Sequence, residues 1–324
     1  MGVRAGKLDP RVCHMIDRAG DAIGTSRLAS IGDQVMGLDR FVALGGPPMT
    51  QAAYPWLAAA RDARRATPRI PAIVALPSER RPGIDPRLAP DLLVRLEARS
   101  QVPLDHDRSQ LVFGCRAGGV AAIARAIALL GDGAEFVLAG GVDSFFDPEV
   151  LEYLDRELRL HSLTAENGFI PGEGAGFVLL AKQRAPHTPA LGGIVSTALE
   201  REPRPYGSEE PCLALGMTLA AKRAVEPVGS KSRRIGWVMT DVVDERHRVD
   251  EWAFAAARVA GAFAPDYVHE QILLATGDLG AASVGTMLAV AVTRWQTCCA
   301  PDDAVLVAAH SDGPERGALV ARAP

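Results

Sequence analysis

The sequence contains no run of about 18 apolar residues, which is the length that a membrane-spanning helix requires. Its first twenty residues also lack the apolar segment of a secretion signal, so we expect a cytoplasmic protein that does not cross a membrane. Neither sign of charge dominates, because the formal net charge is only -4 over 324 residues. This balance argues against the strongly basic surface that is typical of nucleic-acid binding.

Cysteine and histidine are also scarce, with five and seven residues respectively. The cysteines, at positions 13, 115, 212, 298 and 299, are odd in number and show no CxxC spacing. This pattern argues against a disulfide framework and against a zinc site. The histidines form no HExxH motif and no His/Cys cluster, so we expect neither a bound metal nor another cofactor.

Hydrophobic residues make up 48% of the chain, and their pattern alternates between strand-like and helix-like segments. Strand 110–114, helix 117–133 and strand 135–144 form a predicted βαβ unit, which implies a parallel sheet buried on both faces. Similar alternation resumes after a proline-rich joint at 182–193. We therefore predict an α/β protein with halves at 1–185 and 186–324, whose two sheets pack together through shared helices.

Three local predictions are less regular. A helix over 38–66 is expected to be interrupted at Gly-Gly-Pro-Pro, residues 45–48, because glycine and proline disfavour helix interiors. A glycine-rich loop is expected over 166–176, and an apolar strand over 270–276.

Cys115 lies between the predicted strand 110–114 and the following helix. Unpaired amides and the positive end of the helix dipole, with Arg116 beside them, would stabilise a thiolate and lower the pKa of the thiol. A small buried hydrophobic residue is an equally good interpretation of a cysteine on such a turn. The glycines at 114, 118 and 119 allow a sharp turn and a close approach of another group, which favours the nucleophile slightly.

Two further segments carry polar groups between apolar ones. Asp278, in "ATGDLGAASVG", can cap the following helix or face a pocket, and capping is the commoner role. His247, in the charged segment "TDVVDERHRVDEW", is interpreted as a solvated side chain rather than a catalyst.

Taken together, these motifs resemble the β-ketoacyl synthase branch of the thiolase-like family. In that family a nucleophilic cysteine at a strand-to-helix turn is followed 24 residues later by a strand ending in Ala-Gly-Gly, and here Cys115 and Ala139 show the same interval. "GFIPGEGAG" at 168–176 and "TGDLGAAS" at 276–283 resemble two later family motifs. The resemblance to a short, divergent member implies a five-layered αβαβα fold from two pseudo-twofold halves and an acyl group carried on Cys115. It also implies that Phe169, Gly172, Glu173 and Gly174 contact the substrate.

The sequence departs from the family at the other catalytic positions. Asp278 stands where the family has a histidine or asparagine, and the stretch 240–244 lacks the first histidine. Leu273 takes the place of a lysine, and Asp312 that of a gating phenylalanine, in the loop whose amide completes the oxyanion hole. Decarboxylative condensation develops negative charge on a thioester oxygen that needs hydrogen-bond donors, and an ionised carboxylate only accepts. If Asp278 faces the thiol as an anion, like-charge repulsion would raise the pKa of Cys115 and oppose the helix dipole. We therefore expect no standard condensing activity.

Two functions remain open. The favoured one is a thiolase-fold binding or accessory protein, and short proteins of this kind resemble ones from bacterial secretion gene clusters, notably type VI secretion. The alternative is an acyltransferase or thioester-handling enzyme that uses Cys115 as its acyl-carrying nucleophile. The expected partners are an acyl carrier protein or acyl-CoA, a second copy of the chain in a homodimer, and a protein of the secretion apparatus.

Overall fold

A computed structural model describes residues 16–20, 22–62, 68–162, 165–182, 190–228 and 234–324, and the structural statements below concern these residues. The helices are α1 (Gly37–Asp62), α2 (Leu88–Ser100), α3 (Cys115–Gly131), α4 (Pro148–Arg156), α5 (Leu215–Val225), α6 (Arg246–Val259), α7 (Leu273–Thr276) and α8 (Ser283–Gln296). The strands are β1 (Ala72–Leu76), β2 (Gln110–Phe113), β3 (Phe136–Ser144), β4 (Glu173–Ala181), β5 (Gly193–Arg201), β6 (Ile235–Thr240), β7 (Phe263–Glu270), β8 (Ala304–His310) and β9 (Glu315–Arg322).

The strands form two sheets with parallel centres. The first has the order β2-β1-β3-β4, in which β1 runs parallel to β2 and β3 while β4 is antiparallel. The second has the order β5-β9-β8-β6-β7, in which β6 runs parallel to β7 and β8 while β9 is antiparallel to its neighbours. Each sheet uses strands from one side of the predicted boundary at 185/186, which itself lies outside the described residues. The division into halves stays a prediction.

Alternating side chains show how the sheets stack. In β8, Val305 and Val307 pack with α3 and α8, whereas Leu306 packs with α5 and α6. In β1, Ile73 packs with α3 and α8, whereas Val74 packs with α1 and α2. Helices α3 and α8 therefore lie between the two sheets, and the other two helix pairs cover the outer faces. This arrangement confirms the predicted five-layered αβαβα fold.

Helix α1 continues through the Gly-Gly-Pro-Pro segment, so the predicted interruption is wrong. A Cβ atom on Gly45 would lie 2.8 Å from Leu96 of α2, and one on Gly46 would lie 2.3 Å from Arg99. The two glycines therefore permit a close approach of α2, and Leu44 and Met49 on either side of the segment are buried. Burial of this face offsets the low helix propensity of the segment. Residues 63–66 of the predicted helix lie outside the described residues.

The expectations for 270–276 and 166–176 also need correction. The strand of the first region is β7, which ends at Glu270, and residues 273–276 form a short helix. Half of the β7 residues are exposed and only Phe263 is buried, because β7 is an edge strand, so it lacks the apolar pattern on which the prediction relied. Residues 173–176 belong to β4 rather than to a loop, and a Cβ on Gly176 would lie 2.3 Å from the backbone of α8. None of the described helices is both long and apolar enough to cross a bilayer.

Candidate functional site

Cys115 is the first residue of α3 and follows Gly114, which connects the helix to β2. Its φ is +52°, in the left-handed region that non-glycine residues seldom adopt. A Cβ on Gly114 would lie 2.9 Å from the Cα atom of Gly118, so the turn requires glycine there. The structure thus places Cys115 at a tight strand-to-helix turn, as its position in the sequence predicts.

The loop between β8 and β9 packs against this turn. The hydroxyl of Ser311 donates to the carbonyl oxygen of Gly114 at 2.6 Å and accepts from the amide of Ala117 at 3.1 Å. One serine hydroxyl thereby forms hydrogen bonds with the backbone on both sides of Cys115. The neighbouring Asp312 is brought to the same place.

Arg116 is fully buried and contacts both aspartates that the sequence singled out. Its Nε lies 3.0 Å from each carboxylate oxygen of Asp278, and its Nη2 also donates to that carboxylate. Its Nη1 donates to Asp312 at 2.9 Å and lies 3.8 Å from the sulfur of Cys115. Cys115, Asp278 and Asp312 are therefore gathered around one guanidinium group.

Two more arginines extend this arrangement. Arg248 donates to Asp278 at 2.6 Å and to Glu245 at 2.9 Å. Arg159 donates to Glu245 at 2.7 Å and to Asp312 at 2.8 Å. We call the resulting set the arginine–carboxylate network; it consists of Arg116, Arg159, Arg248, Glu245, Asp278 and Asp312.

The network keeps its acids ionised. Burial opposes ionisation of Asp278, but Arg116 and Arg248 lower the pKa of its carboxyl below the usual value. Burial likewise opposes ionisation of Asp312, and Arg116 and Arg159 hold its pKa well below the usual range. The Asp312 side chain is 41% exposed, so the network meets solvent at this residue. Neither carboxylate can donate a hydrogen bond in this state.

The pKa of the Cys115 thiol is shifted in the opposite direction. The thiol pKa is raised to about 12, mainly by burial, with smaller contributions from Asp312, Asp143 and Asp278 that Arg116 opposes. The expectation of a lowered thiol pKa is therefore wrong. The positive charge of Arg116 is shared with two carboxylates, and desolvation outweighs what remains.

Glu173, in the loop predicted to contact a substrate, forms its hydrogen bonds with other residues of the protein. Glu173 is buried, and its carboxylate accepts hydrogen bonds from Arg40 at 2.7 Å, the hydroxyl of Ser144 at 2.8 Å and the amide of Leu28 at 2.9 Å. These contacts make Glu173 a link between β4 and α1. Its contact with a substrate stays a prediction.

The other three residues of that loop lie closer to the network. The buried ring of Phe169 has the guanidinium groups of Arg159 and Arg248 at 5.5 and 5.8 Å from its centroid. The amide of Gly172 donates to the carbonyl oxygen of Asp278 at 2.9 Å, whereas Gly174 pairs with β3 inside the sheet. Their roles in binding a substrate also stay predictions.

A buried aspartate–histidine pair lies where β6 and β8 end. Asp241 accepts from both the ring Nδ1 and the backbone amide of His310 at 2.7 Å, and among the described residues His310 Nε2 has no hydrogen-bond partner. Ser311 faces the Cys115 turn, so strand alternation places His310 on the opposite face, with Leu306 and Ala308. His310 therefore faces away from the thiol.

His247 is not a solvated side chain, contrary to expectation. It is half-buried and stacks on Tyr206 with ring centroids 4.3 Å apart. Burial lowers its pKa to about 4, so the ring is neutral at physiological pH. Its position in a charged segment gave no sign of this, because its partner comes from a different part of the chain.

Comparison with known proteins agrees with this geometry. Residues 112–185, which contain the Cys115 turn and the loop before β4, match the model of the beta-ketoacyl synthase N-terminal domain. The ishigamide ketosynthase/chain length factor superimposes with a TM-score of 0.65, covering 100% of this chain and 90% of that one at 19% identity. The protein has the thiolase-like fold of the β-ketoacyl synthases.

Other ketosynthases show the same likeness. A beta-ketoacyl synthase from Burkholderia phymatum has a TM-score of 0.65 at 15% identity, covering 93% of this chain and 88% of that one. The ketosynthase from module 6 of the bacillaene synthase of Bacillus subtilis has a TM-score of 0.65 at 14% identity, covering 89% of this chain and 59% of that one. No curated protein matches the sequence. At these identities the likeness extends to the ketosynthase fold and not to activity.

Within the ketosynthase fold, sequence reasoning found the centre of the site but not its surroundings. It identified Cys115, Asp278 and Asp312, which the structure brings together. It missed Arg159, Glu245 and Arg248 as site residues, and their spacing matches no motif because α6 and the segment after α4 meet only in the folded chain.

Proposed function

We propose that this ketosynthase-fold chain does not catalyse standard decarboxylative condensation and acts as a binding or accessory protein. The observation that carries the proposal is the arginine–carboxylate network, in which three arginines and three carboxylates lie beside Cys115. Condensation needs a reactive thiolate and hydrogen-bond donors aimed at a developing oxyanion.

The network meets neither need. Because the pKa of the Cys115 thiol is raised to about 12, the thiol keeps its proton at neutral pH. The guanidinium of Arg116, which lies 3.8 Å from the sulfur, already donates to Asp278 and Asp312, and these ionised carboxylates cannot donate. A thioester oxygen placed there would compete with the two carboxylates for the same donor.

The partners that we propose are an acyl carrier protein or acyl-CoA, and a second copy of the chain. Support for a carrier comes from a structural neighbour, a type II polyketide synthase acyl carrier protein in complex with its ketosynthase, with a TM-score of 0.65 at 14% identity, covering 93% of this chain and 88% of that one. Support for a homodimer comes from β2, a sheet edge whose half-buried Leu111 and Phe113 leave apolar surface uncovered. Action in the cytoplasm beside a secretion apparatus is proposed from the sequence resemblance alone.

One observation favours the alternative, an acyltransferase or thioester-handling enzyme. The left-handed φ of Cys115 is costly for a non-glycine residue, and backbone strain of this kind is common where a turn presents a nucleophile. Helix α3 also directs its amide groups toward the same turn.

Intact-mass spectrometry with acyl-CoA and acyl-carrier thioesters separates the two functions. We expect no acyl adduct on the wild type that is absent from Cys115→Ala, and no condensation product when a malonyl donor is added. Cys299→Ala, which removes an exposed thiol, serves as the matched control. An adduct lost only in Cys115→Ala would establish the acyl-handling enzyme, and a condensation product would contradict the proposal outright.

A further inference from the structure

We propose that Glu202, Cys212 and Glu251 bind one Zn²⁺ ion, at a site separate from the Cys115 turn. Glu202 follows β5, Cys212 lies in the segment before α5, and Glu251 belongs to α6. One ligand atom from each residue lies within 4.8 Å of the other two. Zinc bonds of about 2.0 to 2.3 Å require these atoms to move together by only about 1 Å.

Glu202 provides the observation that points to a cation. The residue is 1% exposed, and its Oε2 accepts from the amide of Gly216 at 2.7 Å. Its Oε1 is buried and has no hydrogen-bond partner within the described part of the chain. An unsatisfied carboxylate oxygen in this position is expensive unless a positive group meets it.

The charges around the cluster leave room for a cation. Arg316 donates to both oxygens of Glu251, at 2.6 and 3.0 Å, and so compensates that carboxylate. Glu202 has no cationic partner among the described residues. A divalent ion together with a Cys212 thiolate would make the buried set neutral, because three anionic ligands then face Arg316 and two further positive charges.

Binding requires the thiol to lose its proton. An ordinary cysteine thiol is protonated at neutral pH, so the proton must leave before the sulfur can bind the ion. As the Zn–S bond forms, the S–H bond breaks and the proton passes to solvent. Cys212 is half-buried, so solvent reaches the site and the ion can enter from the same side. Water can accept the proton, and a water molecule can serve as the fourth ligand of a tetrahedral zinc ion.

A thiolate with two carboxylates favours zinc over magnesium or calcium, which prefer oxygen ligands alone. The three ligands come from positions 202, 212 and 251, so no short motif reveals them. This explains why the sequence led us to expect no metal. The bound ion would tie the segment before α5 to α6.

Metal binding can be tested directly. After chelator treatment and dialysis against ZnCl₂, we expect one Zn²⁺ per chain and a higher unfolding temperature for the wild type. Cys298→Ser, which alters an exposed thiol, should behave in the same way. Glu202→Gln and Cys212→Ser should lose the stoichiometric ion. Co²⁺ in place of Zn²⁺ should give a thiolate charge-transfer band that is absent from Cys212→Ser.

Absence of stoichiometric zinc in the wild type would overturn the proposal. Zinc retained by both ligand variants, or a cobalt complex without a thiolate band, would also overturn it. If Cys212→Ser does not fold, Glu202→Gln and the wild-type cobalt spectrum decide the matter. Metal content is independent of acyl chemistry, so the result does not depend on whether the proposed function is correct.

Discussion

Cys115 and Cys212 are both thiols among buried charges, but the two environments are balanced differently. Around Cys115, three arginines face three carboxylates, so the set is neutral without any ligand. Around Cys212, Arg316 is the one cation that pairs with Glu202 or Glu251 within the part of the chain that the structure describes. The charges around Cys115 therefore balance one another, whereas the carboxylates around Cys212 leave an excess negative charge that a cation would neutralise.

The largest expected effect comes from unbalancing the Cys115 environment. Arg116→Met leaves Asp278 and Asp312 without a shared cation, and removing one partner from a buried ion pair typically costs about 3–5 kcal/mol of folding free energy. Urea unfolding would measure this loss. Arg125→Met, an exposed change on the same helix, should alter stability by less than about 0.5 kcal/mol. Equal stability of the two variants would show that Arg116 does not stabilise the folded chain by compensating the charges of Asp278 and Asp312.

Thiol reactivity compares the two cysteines directly. With its pKa raised to about 12, Cys115 should react with iodoacetamide about 100-fold more slowly at neutral pH than the exposed Cys298, because its smaller thiolate fraction outweighs the greater nucleophilicity of a more basic thiolate. Zinc should slow alkylation of Cys212 and leave the rate at Cys115 unchanged. Peptide mass spectrometry resolves the sites. A fast Cys115, or zinc protection of both thiols, would remove the distinction between the two environments.

A smaller effect is expected from pH. The pKa of Asp312 is lower in the folded than in the unfolded chain, so its ion pairs stabilise the protein above about pH 4, and this contribution is lost as the pH falls through the folded value. Because the side chain is 41% exposed, solvent screening limits the effect to about 1 kcal/mol. Between neutral and acidic pH, the urea midpoint should therefore fall less for Asp312→Asn than for the wild type. The exposed control Asp266→Asn should follow the wild type, and an Asp312→Asn variant that does so as well would refute the assignment.

Much of the fold could be predicted from the sequence because its central layers have strong local signals. The βαβ unit around α3 is one example, since buried parallel strands are continuous apolar runs. Strand β7 could not be predicted, because an edge strand needs no apolar pattern. The continuity of α1 depends on the packing of Gly45 and Gly46 against α2, which is a tertiary contact.

The candidate site was predictable to a similar, partial extent. The turn before α3 was visible in the glycines around Cys115, and the resemblance indicated Asp278 and Asp312. The charge state of the thiol was not predictable, because it depends on which carboxylates share Arg116. Arg159 and Arg248 reach those carboxylates only after four separate segments have folded together.

Arg316 forms hydrogen bonds in both environments. While its Nε and Nη2 hold Glu251, its Nη1 donates to the carbonyl oxygens of Ser311 and Gly313, on either side of Asp312. A planar guanidinium has fixed directions for its hydrogen bonds, so movement of α6 at Glu251 must be accommodated by the loop that carries Asp312. The segments around the two thiols, distant along the chain, are thus connected through the side chain of Arg316.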